Sequence, residues 1–123
     1  MFLYRVVILF KSIFFSKHSL KGKLARIEYG IARLFKNEYG LRIWIWKEGF
    51  YEVDPESLKL WICLKTDHDK HTLVSDELAD KKIRNVLVHH NYPKEAINLI
   101  TIDFESEETV RRDSNGNWWV HFK

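Results

Sequence analysis

The sequence is poor in cysteine and lacks the short motifs that mark common enzyme families. Cys63 is the single cysteine among 123 residues, so no disulfide can form within the chain, which favours a reducing compartment such as the cytoplasm. Cys63 also has no base beside it in the sequence, which argues against a nucleophilic thiol. There is no P-loop, no G-x-S-x-G pattern and no Rossmann glycine pattern. Linkers and repeats are lacking too, so residues 1–123 are expected to form one domain.

No uncharged apolar run is long enough to span a membrane. The start, MFLYRVVILFKSIFF, is interrupted by Arg5 and Lys11, which leave only VVILF between them, whereas a span needs roughly 20 apolar residues. No small-x-small cleavage site follows. Alternation over residues 2–10 fits a buried strand, and the spacing over residues 10–14 fits a helix. Residues 1–16 are therefore predicted to be a folded element of undecided type rather than a membrane anchor.

Charge is distributed unevenly along the chain. Residues 1–47 hold ten Lys and Arg against two acids, a net +8, and residues 48–123 hold ten against fifteen, a net −5, which together give the overall +3. Such asymmetry can mark a partner surface. Basic residues among aromatics in the first third could also bind nucleic acid, although they are spaced as on the solvated face of an amphipathic helix.

The spacing of apolar residues predicts both helices and strands. Helical spacing is clearest over residues 20–37, where Ser19 can cap the start and Gly40 follows the end. The stretches LRIWIW, LKLWICLK and LITIDF predict strands, and LRIWIW is expected to form a tight hairpin with FYEV around Gly49. In LKLWICLK the aliphatic residues share one face and Trp61 lies on the other. The predicted fold class is α+β, a mainly antiparallel sheet with helices packed on one face.

The second half of the chain is also predicted to contain both helices and strands. TDHDKH reads as a polar loop, and Ser75 can cap a helix that runs to about His89. Pro93 suits the first turn of a short helix, PKEA. SEETVRR places acids before arginines, as the helix dipole prefers, and predicts one or two helical turns.

The closing stretch GNWWVHFK is predicted to be a strand. Its alternation would place Trp118, Val120 and Phe122 on the core face, with Trp119 and His121 on the other. Tryptophan exposed among charges is a typical anchor of binding surfaces. The alternative is that a curved sheet buries both faces, or that the rings cover lysine stems.

Two histidine-containing stretches are candidates for chemistry. DHDKH places His68 and His71 beside aspartates, but zinc sites usually draw three or four ligands from firmer elements, so a solvated loop is the preferred interpretation. In VHHNYP, His89 and His90 could act as acid and base in a small RNA-processing enzyme. This would require the fold to bring a cationic side chain to the same RNA phosphate. A histidine at a helix C-terminus is also favourable simply because of the helix dipole.

The stretch IRNVLVHHNYPKEAINLITIDFESEETVRRDSNGNWWVHFK contains the densest acidic run, DFESEE. Its order of helix, proline turn, strand, acidic turn and aromatic end resembles small immunity proteins of bacterial contact-dependent growth inhibition and related polymorphic toxin systems. The resemblance covers residues 81–123, about a third of the chain. The basic pI of about 9.0 departs from inhibitors of basic nucleases, which are often acidic.

The resemblance implies a non-enzymatic cytoplasmic protein, without cofactor or metal, that binds and neutralises a cognate toxin domain, typically a nuclease. No catalytic residues carry over. Carboxylates could stand where RNA phosphates would lie on such a toxin, and an aromatic ring on a non-core face could anchor the contact. The predicted toxin-binding residues are Asp103, Glu105, Glu107, Glu108, Trp119 and His121.

Overall fold

The computed structural model describes residues 19–123, in which six α-helices, one 3-10 turn and three strands follow one another. The predicted element over residues 1–16 lies outside this part of the chain. In chain order the elements are α1 (Leu20–Tyr39), β1 (Trp44–Glu48), the 3-10 turn Pro55–Ser57, β2 (Lys59–Leu64), α2 (Asp67–Val74), α3 (Glu77–His89), α4 (Lys94–Ile97), β3 (Thr101–Ser106), α5 (Glu107–Ser114) and α6 (Trp118–His121).

The long helix α1 begins and ends at the predicted signals. The Ser19 hydroxyl accepts a hydrogen bond from the backbone N–H of Gly22 at 3.0 Å, which satisfies one of the free donors of the first turn. Gly40 ends the helix in the left-handed conformation, with φ of 65°. The buried face of α1 carries Leu24, Ile27, Ile31 and Phe35, spaced as one stripe of a helix.

The three strands form one sheet in the order β1-β2-β3. β1 and β2 are antiparallel, with Ile45 opposite Ile62 and Trp46 opposite Trp61. β2 and β3 are parallel, with Trp61 aligned with Asp103. The predicted α+β class is confirmed, and the sheet is mixed because helices α2, α3 and α4 carry the chain from β2 back to the start of β3.

The hydrophobic core lies between the sheet and α1. The aliphatic residues of β2, including Leu60 and Ile62, are fully buried on this face. Phe35 of α1 meets the ring of Phe104 edge-on at 6.4 Å between centroids. Helix α3 contributes buried residues to the same core, and α1, α3 and the strands share one continuous cluster. The predicted inward and outward faces of β2 are therefore confirmed.

Three predicted elements are wrong. FYEV is a turn, and β1 pairs with β2 instead, although Gly49 has the expected positive φ of 109°. TDHDKH is helix α2, because the Thr66 hydroxyl accepts the N–H of Asp69 and nucleates the helix. The closing stretch is the helix α6 rather than a strand. Helix α3 begins at Glu77, one residue later than predicted, since Asp76 is the N-cap instead of Ser75.

No helix within residues 19–123 is both long enough and apolar enough to cross a membrane.

Candidate functional site

An aromatic cluster covers the face of the sheet opposite α1. Trp44 and Trp46 of β1 and Trp61 of β2 point to this outer face, and α6 lies across them. The ring of Trp118 meets that of Trp44 edge-on at 5.2 Å between centroids. Trp119 meets Trp46 edge-on at 5.0 Å. We call this face of the sheet, together with α6 and Phe122, the aromatic face.

Phe122 fills the centre of the aromatic face. Its ring stacks on that of Trp61 at 4.6 Å with an interplanar angle of 27°, and it lies 5.4 Å from Trp46 and 5.7 Å from Trp118. Offset and edge-on pairs of this kind each contribute about 0.5–1.5 kcal/mol beyond the area they bury. Phe122 therefore joins rings from β1, β2 and α6 into one layer.

The turn between α5 and α6 directs the chain back over the sheet. Asn115 and Gly116 both have positive φ, at 51° and 79°, and both donate their N–H groups to the carbonyl of Val110. This pairing satisfies the free carbonyls at the end of α5. Asn117 then caps α6, because its side-chain oxygen accepts the N–H of Val120 at 3.1 Å. Local turn chemistry thus explains why a stretch that alternates like a strand forms a helix.

Trp119 is the exposed member of the aromatic face. Its side chain is 70% exposed, and the next residue, Val120, is 58% exposed, whereas Trp118 and Phe122 are half-buried. One edge of the Trp119 ring is supported by Trp46 while the rest meets solvent. A large ring held in place but left uncovered is the arrangement that protein interfaces use for an anchor residue.

Beneath α6, the buried carboxylate of Glu105 holds three elements together. Glu105 is 6% exposed, and one of its oxygens accepts hydrogen bonds from Lys70 of α2 and from the backbone N–H of Ser106, both at 2.8 Å. Its other oxygen lies 2.7 Å from Nε2 of His121 in α6. Burial acts to raise the pKa of Glu105, but these hydrogen bonds outweigh it and leave the pKa below its usual value.

A second polar cluster joins α2 to α5. One oxygen of Asp67 accepts the hydroxyls of Ser106 at 2.5 Å and Thr109 at 2.6 Å, and the other accepts Arg112 at 2.9 Å. Hydrogen bonds from Ser106, Thr109 and Arg112 hold the pKa of Asp67 far below its usual range. Glu108 in turn accepts the backbone N–H of Asp67 at 2.7 Å. The clusters around Glu105 and Asp67 hold α5 against the end of the sheet. They thereby also position the start of α6.

The predicted toxin-binding residues fall into exposed and buried groups. Asp103 lies on the aromatic face with half of its side chain exposed, and it pairs with Lys59 at 3.4 Å. Glu107 is half-buried at the start of α5, and Glu108 is exposed there. Glu105 is buried under α6, and His121 of α6 is half-buried in contact with it. The structure thus places Asp103 and Trp119 on the aromatic face and Glu107 and Glu108 at the start of α5, beyond the end of β3, and all four keep part of their surface exposed.

Ser114, His121 and Glu105 form a hydrogen-bonded chain like that of serine hydrolases. The Ser114 hydroxyl lies 3.0 Å from Nδ1 of His121, whose Nε2 contacts Glu105. Acyl transfer also needs free N–H groups at the developing oxyanion. The N–H groups of the three residues that follow Ser114 are instead donated to carbonyls within the chain. We therefore interpret this chain of contacts as a fastening of α6 to the sheet.

The histidines proposed for chemistry lie elsewhere. His90 follows the end of α3, next to Gly30 of α1. Burial lowers the pKa of His90, and the nearby charges of His89 and Arg26 lower it further. His68 and His71 are exposed on α2. Within residues 19–123 no group of three or more His, Cys, Asp or Glu could hold a metal ion.

A groove beside Trp119 was not predicted from the sequence. It has a volume of about 260 Å³ and is lined by Trp46, Lys47, Glu48, Trp119, Phe122 and Lys123. Trp46 and Glu48 are two residues apart in β1 and therefore share its outer face, which the sequence pattern could have indicated. Sequence reasoning missed the groove because it treated the closing residues as a strand, which would not have returned over β1.

No protein-family model, curated protein or solved structure matches this chain.

Proposed function

We propose that this chain is a non-enzymatic immunity protein of the cytoplasm that binds and neutralises a cognate bacterial toxin domain, a nuclease, through the aromatic face and the acidic residues beside it. The resemblance of residues 81–123 to immunity proteins of contact-dependent growth inhibition suggested this function. The observation that carries the proposal is the 70% exposure of Trp119 on a short, firmly fastened helix.

The exposed ring is held in a fixed position. α6 is capped by Asn117, stacked on the sheet through Phe122 and tied to Glu105 through His121. A side chain that is already positioned before binding loses little conformational entropy on association, so more of its interaction energy remains as affinity. This favours a preformed protein-binding surface around Trp119 over one that folds on contact.

Acidic residues flank the same surface. Asp103 lies on the aromatic face, and Glu107 and Glu108 stand at the start of α5. Carboxylates at the rim of an interface chiefly raise the association rate with a cationic partner, and a nuclease presents cationic groups where RNA or DNA phosphates bind. Glu105 and His121 support the surface, because the buried Glu105 pairs with the half-buried His121 of α6.

The test is growth rescue in cells that express the toxin domain encoded immediately upstream of this gene. Co-expression of the wild-type protein should restore growth, and Trp119→Ala should restore it poorly at equal abundance. Leu78→Ala is the control, because Leu78 is also exposed on a helix, at 56%, but lies on α3. Absence of rescue by the wild-type protein would contradict the proposal, and equal rescue by Trp119→Ala would place the binding surface elsewhere.

A further inference from the structure

The groove beside Trp119 has two aromatic walls and one carboxylate, that of Glu48, in its lining. The rings of Trp46 and Trp119 stand at 78° to each other and form a corner, and Phe122 closes the base at 5.4 Å from Trp46. Glu48 lies on the same face of β1 as Trp46 and lines the groove. The faces of aromatic rings carry partial negative charge, so the walls and the Glu48 carboxylate favour a cation, whereas Lys47 and Lys123 also line the groove.

The carboxylate of Glu48 has no ion-pair partner within the described part of the chain, although two lysines are near it in the sheet. Lys59 is directly opposite Glu48 in β2, but its ammonium group pairs with Asp103 at 3.4 Å and lies 4.2 Å from the Trp61 ring centroid. Lys47 points to the other face of β1 and pairs with Glu28 at 3.2 Å. Among residues 19–123, this half-buried carboxylate beside aromatic rings therefore has no cationic partner.

We propose that this groove receives an arginine side chain of the partner protein, with the guanidinium stacked on a tryptophan face and paired with Glu48. This inference rests on the proposed function, and it specifies which side chain of the toxin binds in the groove. Arginine fits better than lysine, because its planar, weakly hydrated guanidinium stacks on aromatic rings and pairs with a carboxylate in the same plane. An arginine on the toxin surface also agrees with a protein that acts on nucleic acid phosphates.

Two lysines line the groove, and the charge of Lys47 is paired with Glu28, which leaves Lys123 as the lysine that opposes a cation. Lys123 is exposed at the rim, and its ammonium group repels a guanidinium. Because both charges are solvated at that point, we expect the effect to be small, and Lys123→Ser should strengthen arginine binding by about twofold at low salt. A weaker arginine affinity in this variant would contradict the proposed position of the guanidinium.

The groove is tested by NMR titration with N-acetyl-arginine amide, observed at the indole N–H signals of Trp46 and Trp119. Matched probes are N-acetyl-citrulline amide, which is nearly isosteric but uncharged, and N-acetyl-lysine amide. We expect saturable shifts with the arginine probe at millimolar concentration, and an affinity about tenfold lower for citrulline, because the cation–π and ionic contacts are lost. Equal affinity for arginine and citrulline would overturn the proposal, and equal affinity for lysine would overturn the choice of arginine.

Two matched variants locate the cation. Glu48→Gln should reduce the affinity for the arginine probe to the level of the citrulline probe. Glu52→Gln should leave it unchanged, because Glu52 lies in the following turn and pairs with Lys21. If Glu48→Gln binds the arginine probe normally, the groove does not use its carboxylate and the proposal fails. Growth rescue together with a failed arginine titration would refute this site alone, whereas a successful titration without rescue would refute the proposed function.

Discussion

Glu105 and Asp103 lie two residues apart on the same face of β3 and provide a matched pair of carboxylates. Glu105 is 6% exposed and accepts three hydrogen bonds, from Lys70, His121 and the N–H of Ser106. Asp103 has half of its side chain exposed and forms one ion pair at 3.4 Å. We therefore expect a large difference in the free energy of unfolding between Glu105→Gln and Asp103→Asn.

The size of the difference follows from these contacts. In Glu105→Gln the neutral amide retains the shape of the carboxylate. Lys70 and His121, however, lose the negative charge that both contact, and the new amide N–H₂ group lies against one of these hydrogen-bond donors. Removing a partner from a buried charged group costs about 2–4 kcal/mol. Asp103→Asn removes an exposed ion pair, which contributes less than about 1 kcal/mol.

Urea unfolding followed by tryptophan fluorescence at neutral pH measures both variants. With a slope of about 1–3 kcal/mol/M, Glu105→Gln should lower the midpoint by about 1–2 M and Asp103→Asn by less than about 0.5 M. Equal midpoints for the two variants would refute the reasoning, because they would show that the buried hydrogen bonds of Glu105 contribute no more than a surface ion pair.

The pH dependence provides an independent check. Burial raises the pKa of Glu105, but the hydrogen bonds from Lys70, His121 and the Ser106 backbone dominate and leave it below the usual 4.5. A carboxyl with a lowered folded-state pKa stabilises the fold above its unfolded pKa, and this contribution is lost as the pH falls through the folded-state value. The stability advantage of the wild-type protein over Glu105→Gln should therefore shrink below about pH 4. If the stability advantage of the wild-type protein over Glu105→Gln instead grows towards pH 3, the pKa of Glu105 is not lowered in the folded state.

Three further predictions concern the aromatic face, the turn after β1 and the histidines. Trp118→Ala should lower the free energy of unfolding by about 1–3 kcal/mol in thermal melts, because its ring is half-buried, whereas Trp119→Ala should lower it by less than about 1.5 kcal/mol; a larger loss for Trp119→Ala would mean that its ring supports the fold. Gly49→Ala should destabilise the protein by more than about 1 kcal/mol, because the added Cβ would lie 2.2 Å from a backbone oxygen and φ is 109°; an unchanged melting temperature would contradict this. The purified protein should leave RNA intact in a gel assay, and cleavage abolished by His89→Ala or His90→Ala would instead favour the enzyme alternative.

Elements with a long periodic pattern and local caps were predictable from the sequence. α1 was predicted over residues 20–37 and extends to Tyr39, because Ser19, Gly40 and a continuous apolar stripe all agree. The two faces of β2 were also predictable, since six alternating residues allow only one orientation towards the core.

Short stretches were not predictable from alternation alone. WWVH fits a strand and a helix equally well over four residues, and the cap at Asn117 and the left-handed Asn115 decide for the helix. The TDHDKH stretch contained a usable signal, because Thr66 precedes Asp69 with the spacing of a helix cap. Parallel pairing of β3 depends on a helical crossover from β2, which is a property of topology rather than of local pattern.

The membership of the candidate site stays a prediction, and the structure adds which of its residues are exposed and which are buried. Asp103, Glu107, Glu108 and Trp119 are accessible, as a contact surface requires. Glu105 was grouped with them as part of the acidic run and His121 as a non-core residue of a predicted closing strand, yet Glu105 is buried under α6 and the half-buried His121 contacts it from α6. Glu105 is covered because α6 packs back onto the sheet above it. The turn at Asn115 and Gly116 determines where α6 packs, and this effect on a residue distant in sequence could not be predicted from the local pattern.

The most direct test of the central claim is a titration, with this protein, of the toxin domain that the proposal expects the gene immediately upstream to encode, with nuclease activity as the readout. An immunity protein that occludes its toxin should reduce the activity linearly to zero at one molar equivalent, when both proteins are well above the dissociation constant. At concentrations near the wild-type dissociation constant, Trp119→Ala should inhibit much less than the wild-type protein, because loss of a buried aromatic anchor costs about 2 kcal/mol or more, roughly thirtyfold in affinity. Undiminished nuclease activity at an excess of the wild-type protein would contradict the proposed function.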